Sequence, residues 1–279
     1  MYHSTRLVSI AIAMLAIVPV AAQIADPLPQ LSDEQMSKIQ IPMDHEGPIF
    51  TYDATGGFQR VAPPANPVEK LPRLSIYPDG KIVTGGQDQQ IQSCEIQIST
   101  DELNHFLSFV VNESRFYEIQ ESQLKEQMKS SPQERHIADA PTSKFSVDLQ
   151  DGQHSVEIYA LTFAVQAHPA NDDLVRLLKI EKRCQQLVAK AHLGNEKQQN
   201  ELLKSVNNRL QAINPRLEPL TLDHVQWATR FRNGNYQVSF QRIYEAAETQ
   251  PTRTVTARFI QKGLDAAAEI TITGAGDIK

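Results

Sequence analysis

Few folds accommodate the stretch Lys144–Leu161, KFSVDLQDGQHSVEIYAL. Apolar and polar residues alternate on both sides of Asp151-Gly152, the period of a strand with one buried face. An Asp-Gly pair between two such runs signals a hairpin, because a type I′ turn needs positive φ and glycine takes it without steric cost. With that two-residue loop, Leu149 faces His154, Val147 faces Val156 and Phe145 faces Ile158 across one apolar face. Asp148 with Ser155 and Ser146 with Glu157 make the wet face. A slip by one residue would mix the two faces, so the pattern specifies its own register.

The chain around this hairpin alternates strand and helix signals. Ile49–Phe58 begins as a strand and ends on Gly56-Gly57, which reads as a bulge or tight bend; the phosphate-loop alternative lacks a following helix. Arg73–Gly86 is a second Asp-Gly hairpin, with Tyr77 facing Ile82 and Ile76 facing Val83. Both of its faces are apolar, so it belongs nearer the middle of a sheet than the first hairpin does. Gln92–Ser99 is a further strand. Ser99 and Glu102 form a capping box for a helix carrying Leu103, Phe106, Leu107 and Val110, and Leu124 with Met128 suggests one more short helix. Asn171 caps a long helix with the stripe Leu174, Leu177, Leu178, Cys184, Leu187, Val188 and Ala191. Gly194 stops it, and Asn195 caps a second helix with Leu202, Val206 and Leu210 inward. Beyond Pro219 the chain is strand-like: Val225, Trp227 and Phe231 alternate, Asn233-Gly234 turns, and Tyr236, Val238 and Phe240 alternate in return. Arg253–Ile260 and Glu269–Thr273 complete four antiparallel strands.

The N-terminus has the layout of a secretory leader. Arg6 precedes the apolar run Leu7–Val18, and Val20-Ala21-Ala22 supplies small residues for cleavage after Ala22. Retention as an anchor is the alternative. No cysteine follows the cleavage site, so a bacterial lipoprotein route is closed, and no later stretch is apolar enough to span a bilayer. Residues 23–45, rich in proline and polar residues, read as a tether within which Ser32 and Gln35 could cap one short helix. With Arg6 removed, 26 basic residues stand against 33 acidic ones. That negative balance argues against nucleic-acid or anionic-membrane binding.

The exported setting bears on the two cysteines. Cys94 sits in a strand and Cys184 on a helix stripe, and helix-on-sheet packing would bring such positions together. A disulfide closing a loop of roughly 90 residues would add about 4–5 kcal/mol on the chain-entropy model. Two buried free thiols explain the same placement.

No established chemistry is legible. The chain has no G-x-S-x-G elbow, no H-E-x-x-H, no EF-hand spacing and no Walker or dinucleotide loop, so no catalytic residue, metal ligand or cofactor is assigned. His45 lies between Asp44 and Glu46, but adjacent residues of an extended chain point apart, which makes a shared metal unfavourable. His136 with Asp139 lacks a second pair of ligands. His168, Asp172 and Asp173 fit a helix start. His154 reads as a structural histidine. Asp148 and Glu157 are not opposed, which disfavours a glycosidase-type acid pair. The aromatics from Trp227 to Phe240 read as a core face rather than a ligand platform.

TGGF at Thr55–Phe58, LSIYPDGKIV at Leu74–Val83, IADAPTS at Ile137–Ser143 and DGQHSVEIYAL at Asp151–Leu161 occur in this order. Together they resemble an uncharacterised family of exported bacterial proteins and lipoproteins, planctomycete-like ones among them, over about Gly47–Gly194. The resemblance implies export and a domain extent, and no activity. The terminal helix and meander look like cystatin-like or PepSY-type modules, an analogy of fold alone.

The expectation is therefore an α+β protein. After a leader (1–22) and a flexible tether (23–45) comes a hairpin-rich α+β domain (46–194), then a helix with an antiparallel meander (195–279). The expected function is a non-catalytic, exported binding protein that contacts a protein or another envelope component, without nucleic acid or an integral membrane span. The alternatives are an envelope hydrolase with an unrecognised site and an inhibitor of an envelope enzyme.

Overall fold

A computed structural model describes residues 39–41, 45–56, 71–85, 91–129, 139–150, 152–244, 253–263 and 267–275. The expected leader (1–22), Ser32, Gln35, Asp44, Gly57, His136 and Asp151 lie outside the described residues. The architecture is α+β, with two antiparallel sheets and five α-helices among the described residues.

The first sheet has six strands: β1 (Phe50–Gly56), β2 (Leu74–Ile76), β3 (Lys81–Thr84), β4 (Cys94–Gln97), β5 (Pro141–Leu149) and β6 (Gly152–Tyr159). Their spatial order is β4-β3-β2-β1-β5-β6. The β2–β3 hairpin is interior, as its two apolar faces require, and all three residues of β2 are buried. Helix α1 (Thr100–Ser108), followed by a π-turn at Phe109–Glu113, places Leu103, Phe106, Leu107 and Val110 on this sheet. Phe106 meets Phe50 edge to face at 4.9 Å. Ser99 caps α1 by accepting from the Glu102 N–H at 3.2 Å. The carboxylate of Glu102 instead accepts from Lys190 at 2.6 Å, so the capping box is only half made. Helix α2 (Glu121–Lys129) packs by β6.

The register of both Asp-Gly hairpins differs from the expected one. In β5–β6, Leu149 pairs with Gly152, Val147 with His154 and Phe145 with Val156, a slip of two residues. Every side chain keeps its face, because the side-chain period of a strand is also two. Gly152 is the first residue of β6 at φ +119° rather than a turn position. Tyr117, whose hydroxyl donates to the Gly152 carbonyl at 2.9 Å, helps hold the strand there. In β2–β3, Ile76 pairs with Ile82 and Ser75 with Val83, a slip of one. The loop holds three residues, Pro78-Asp79-Gly80. The Gly80 N–H bonds the Tyr77 carbonyl at 3.0 Å, and Gly80 takes φ +82°. Two apolar faces tolerate that slip, where a hairpin with one wet face would not.

Helix α3 (Leu161–Ala167) was not anticipated, although Leu161, Ala164 and Val165 stand at helical spacing and are buried. Helix α4 (Asp172–Leu193) is 22 residues, ~33 Å long at 1.5 Å per residue, long enough to join two cores. Its N-terminal part gives Leu174, Leu177, Ile180, Cys184 and Leu187 to the first core. Its last turns give Ala189 and Leu193 to the second.

That second core lies between α5 (Glu196–Ile213) and a four-stranded meander: β7 (Val225–Arg230), β8 (Tyr236–Tyr244), β9 (Arg253–Gln261) and β10 (Glu269–Thr273), in order β10-β9-β8-β7. Asn195 and Gln198 form a complete capping box at the start of α5. The two sheets meet where Ile91 bridges Phe231 and the Gln92 N–H donates to the Arg230 carbonyl at 2.9 Å. The division at Gly194 therefore follows the cores only in outline, since α4 serves both. Within the stretch expected as a tether (23–45), Ile39 and Ile41 pack on the first core, and the Gln40 carbonyl accepts from the Gln150 N–H at 3.2 Å.

Candidate functional site

Three places gather chemically capable side chains. The first is the junction between the sheets. Cys94 at the start of β4 sets its Sγ 3.3 Å from Nδ1 of His192, near the end of α4. The Arg230 backbone N–H donates to the same Nδ1 at 3.3 Å. The Arg230 guanidinium donates to the carbonyls of His192 (2.5 Å) and Leu193 (3.1 Å), serving as the C-cap that a helix end requires. It also lies over the Tyr236 ring, 4.5 Å from the centroid.

The electrostatics decide what this cluster can do. Burial pushes the Cys94 thiol up, and the nearby Arg230 cation offsets only part of that. Burial and then the same cation push His192 down to about 4. A preformed thiolate–imidazolium pair would need the opposite shifts. At neutral pH the pair is a thiol and a neutral imidazole whose Nδ1 accepts, and its bonds link the end of α4 to Cys94 and Arg230.

Cys184, the other cysteine weighed for a disulfide, is fully buried in the first core, where burial and then Glu181 raise its thiol well above the usual range. Both cysteines are free thiols in the structure.

The second place is Glu181 on α4, a buried acidic residue. Its Oε1 accepts from the Tyr52 hydroxyl at 2.9 Å and from Ser143 at 2.7 Å. Burial, and then the charge of Glu181, drive the Tyr52 hydroxyl well up, so it stays a donor. The network ties α4 to β1 and β5. The signal for it was a glutamate inside an apolar stripe, between Leu177 and Cys184.

The third place is the face of the second sheet away from α5. A bulge between Val225 and Trp227 breaks the expected alternation. Val225 and Ala228 enter the core, and Trp227, 41% exposed, turns outward. The reading of Trp227 as a core residue is thus corrected; Tyr236, Val238 and Phe240 are buried as expected. Trp227 pairs with Ser239, Ser239 with Arg258 and Arg258 with Thr271, one row across four strands. Gln237, Gln241 and Thr256 flank the row, half-exposed.

The remaining sequence candidates are dispersed. His154 bonds the Ile119 carbonyl through Nε2 at 3.0 Å and lies edge-on to Phe116, the structural role expected of it. His45 lies 3.8 Å from Asp148. Asp148 pairs with Gln153, and Glu157 with Lys144, well apart on the hairpin. Asn171 caps α4 with Asp172 and Asp173 in its first turn, and these with His168 border an open groove of ≈ 610 Å³. Among the described residues no three His, Cys, Asp or Glu side chains converge as a metal set, and no helix is long and apolar enough to cross a membrane.

No protein-family model, curated protein or solved structure matches the chain.

Proposed function

We propose that this is an exported, non-catalytic binding protein of the cell envelope, and that its partner is a protein engaged by the Trp227 face. The observation that carries the reading is the exposed Trp227 on a strand row with the exposed Arg258. Tryptophan and arginine are the residue types that most often anchor protein interfaces, and the half-exposed Gln237, Gln241 and Thr256 beside the row supply polar surroundings. The leader-like N-terminus supports the envelope as the setting.

The test is affinity capture from envelope extract, with Trp227→Ala and Arg258→Ala run beside the wild type. The expected result is a protein retained by the wild type and reduced at least tenfold with Trp227→Ala. Equal retention by all three proteins would refute the assignment of this face. Hydrolysis of envelope substrates by purified protein would refute the non-catalytic reading.

A further inference from the structure

We propose that the protein self-associates through β10, two copies pairing antiparallel about a two-fold axis at Thr271 to make one eight-stranded sheet. The inference stands on the strand edge and does not depend on the Trp227 face.

A sheet edge offers a row of unpaired N–H and C=O groups, and proteins ordinarily block such rows. Three of the four edges here carry a block. On β6, the Glu157 N–H donates to the Glu121 carboxylate at 2.8 Å. On β7, α4 packs alongside and Ile91 bridges Phe231. β4 is only four residues long and exposes Glu95 at its centre. β10 has none of these devices. Its sequence is Glu-Ile-Thr-Ile-Thr, with no proline or lysine and strong β-formers from Ile270 to Thr273. Among the described residues, no group outside β9 hydrogen-bonds to it.

The occupant follows from the pattern of the strand. Pairing about Thr271 engages all five residues. It places Ile270 beside Ile272 of the other copy on the face toward α5, and Glu269 beside Thr273. The half-buried Ile270 and Ile272 thus extend the second core across the axis, and the one charge on the strand meets a hydroxyl rather than its own copy. Ile213, 41% exposed, lies at the α5 end that Asn214 ties to Ala275 through a 3.4 Å hydrogen bond, adding apolar surface at the same rim.

Sedimentation velocity of the full-length protein tests this, with Thr271→Lys and Thr273→Lys in parallel. Both positions are exposed, both variants add one positive charge, and circular dichroism confirms that each is folded. The wild type should be a reversible dimer. Thr271→Lys sets two ammonium groups against each other at the axis and should weaken association by about tenfold or more. Thr273→Lys meets Glu269 of the other copy and should dimerise as well as the wild type or better. A monomeric wild type overturns the proposal, as does a dimer indifferent to Thr271→Lys or one lost with Thr273→Lys.

Discussion

Glu181 and Tyr236 show how much a single polar atom decides in this protein. Glu181 serves two buried hydroxyls at once, so truncation leaves both without an acceptor. Each unmet buried group costs about 1–3 kcal/mol. Glu181→Ala should therefore lower unfolding stability by roughly 2–4 kcal/mol in urea titration, and Glu181→Gln, which keeps an acceptor oxygen, by clearly less. Equal losses would show that the carboxylate does not serve these donors. Tyr236 presents the reverse case. Its hydroxyl is buried without a hydrogen-bond partner, the single such side-chain atom among the described residues. Removing that atom relieves a desolvation penalty and keeps the ring against Phe259 and under Arg230. Tyr236→Phe should hold or raise stability by about 1 kcal/mol, whereas a drop of that size would mean the hydroxyl has a partner in solution. Glu181 was passed over in the sequence, although it is a charge inside an apolar stripe, between Leu177 and Cys184. Tyr236 was legible only as a core residue, because orphaned atoms are set by what lies around them.

Elements were easier to read than the way they register. Strand identities, the helix caps at Ser99, Asn171 and Asn195, and the order of helix then meander all follow from periodicity and capping chemistry. The hairpin registers did not: at β2–β3 Asp-Gly closes a three-residue loop ending on a left-handed glycine, and at β5–β6 Gly152 already pairs with Leu149 instead of turning. Tertiary contacts made the choice, and Gly80 shows how. A Cβ there would stand 2.7 Å from the Ile98 carbonyl oxygen, at φ +82°. Gly152 has positive φ too, but a Cβ there would meet nothing within 4 Å. Gly152→Ala should thus cost only backbone strain, on the order of 1 kcal/mol. Gly80→Ala should cost at least about twice that, because β4 must also shift. Thermal melts of the two variants compare them directly, and equal losses would remove the close approach as a cause. The bulge at Val225–Trp227 escaped the sequence for a related reason. One extra residue reverses every face beyond it, and nothing in VQWATR marks which residue is extra.

At the scale of the whole molecule, α4 makes two cores into one structure, and its C-terminal end is where they are coupled. The coupling passes through a neutral His192, whose Nδ1 accepts from the Arg230 N–H and faces the Cys94 thiol. Protonation would turn that acceptor into a donor and set a second cation beside Arg230. Folding lowers the His192 value from 6.5 to about 4, through burial first and Arg230 second. Between those values the unfolded chain binds more protons than the folded one, so stability falls as pH falls. The contribution is complete above about pH 6.5 and is lost on descent through about pH 4; at 1.36 kcal/mol per unit it is on the order of 3 kcal/mol. His224, also lowered by burial first, acts in the same direction. Glu121, held down chiefly by its bond from Lys125, also loses stability on acidification, but over the carboxylate range. His192→Asn separates the contributions, because the amide oxygen keeps an acceptor near Nδ1 without a titrating group. Urea midpoints at pH 7.0, 5.5 and 4.5 should fall steeply for the wild type and much less for His192→Asn. The broadening expected of two cores that uncouple should accompany the wild-type fall. Parallel pH profiles would mean that the junction holds by packing alone, with His192 only a passenger in it.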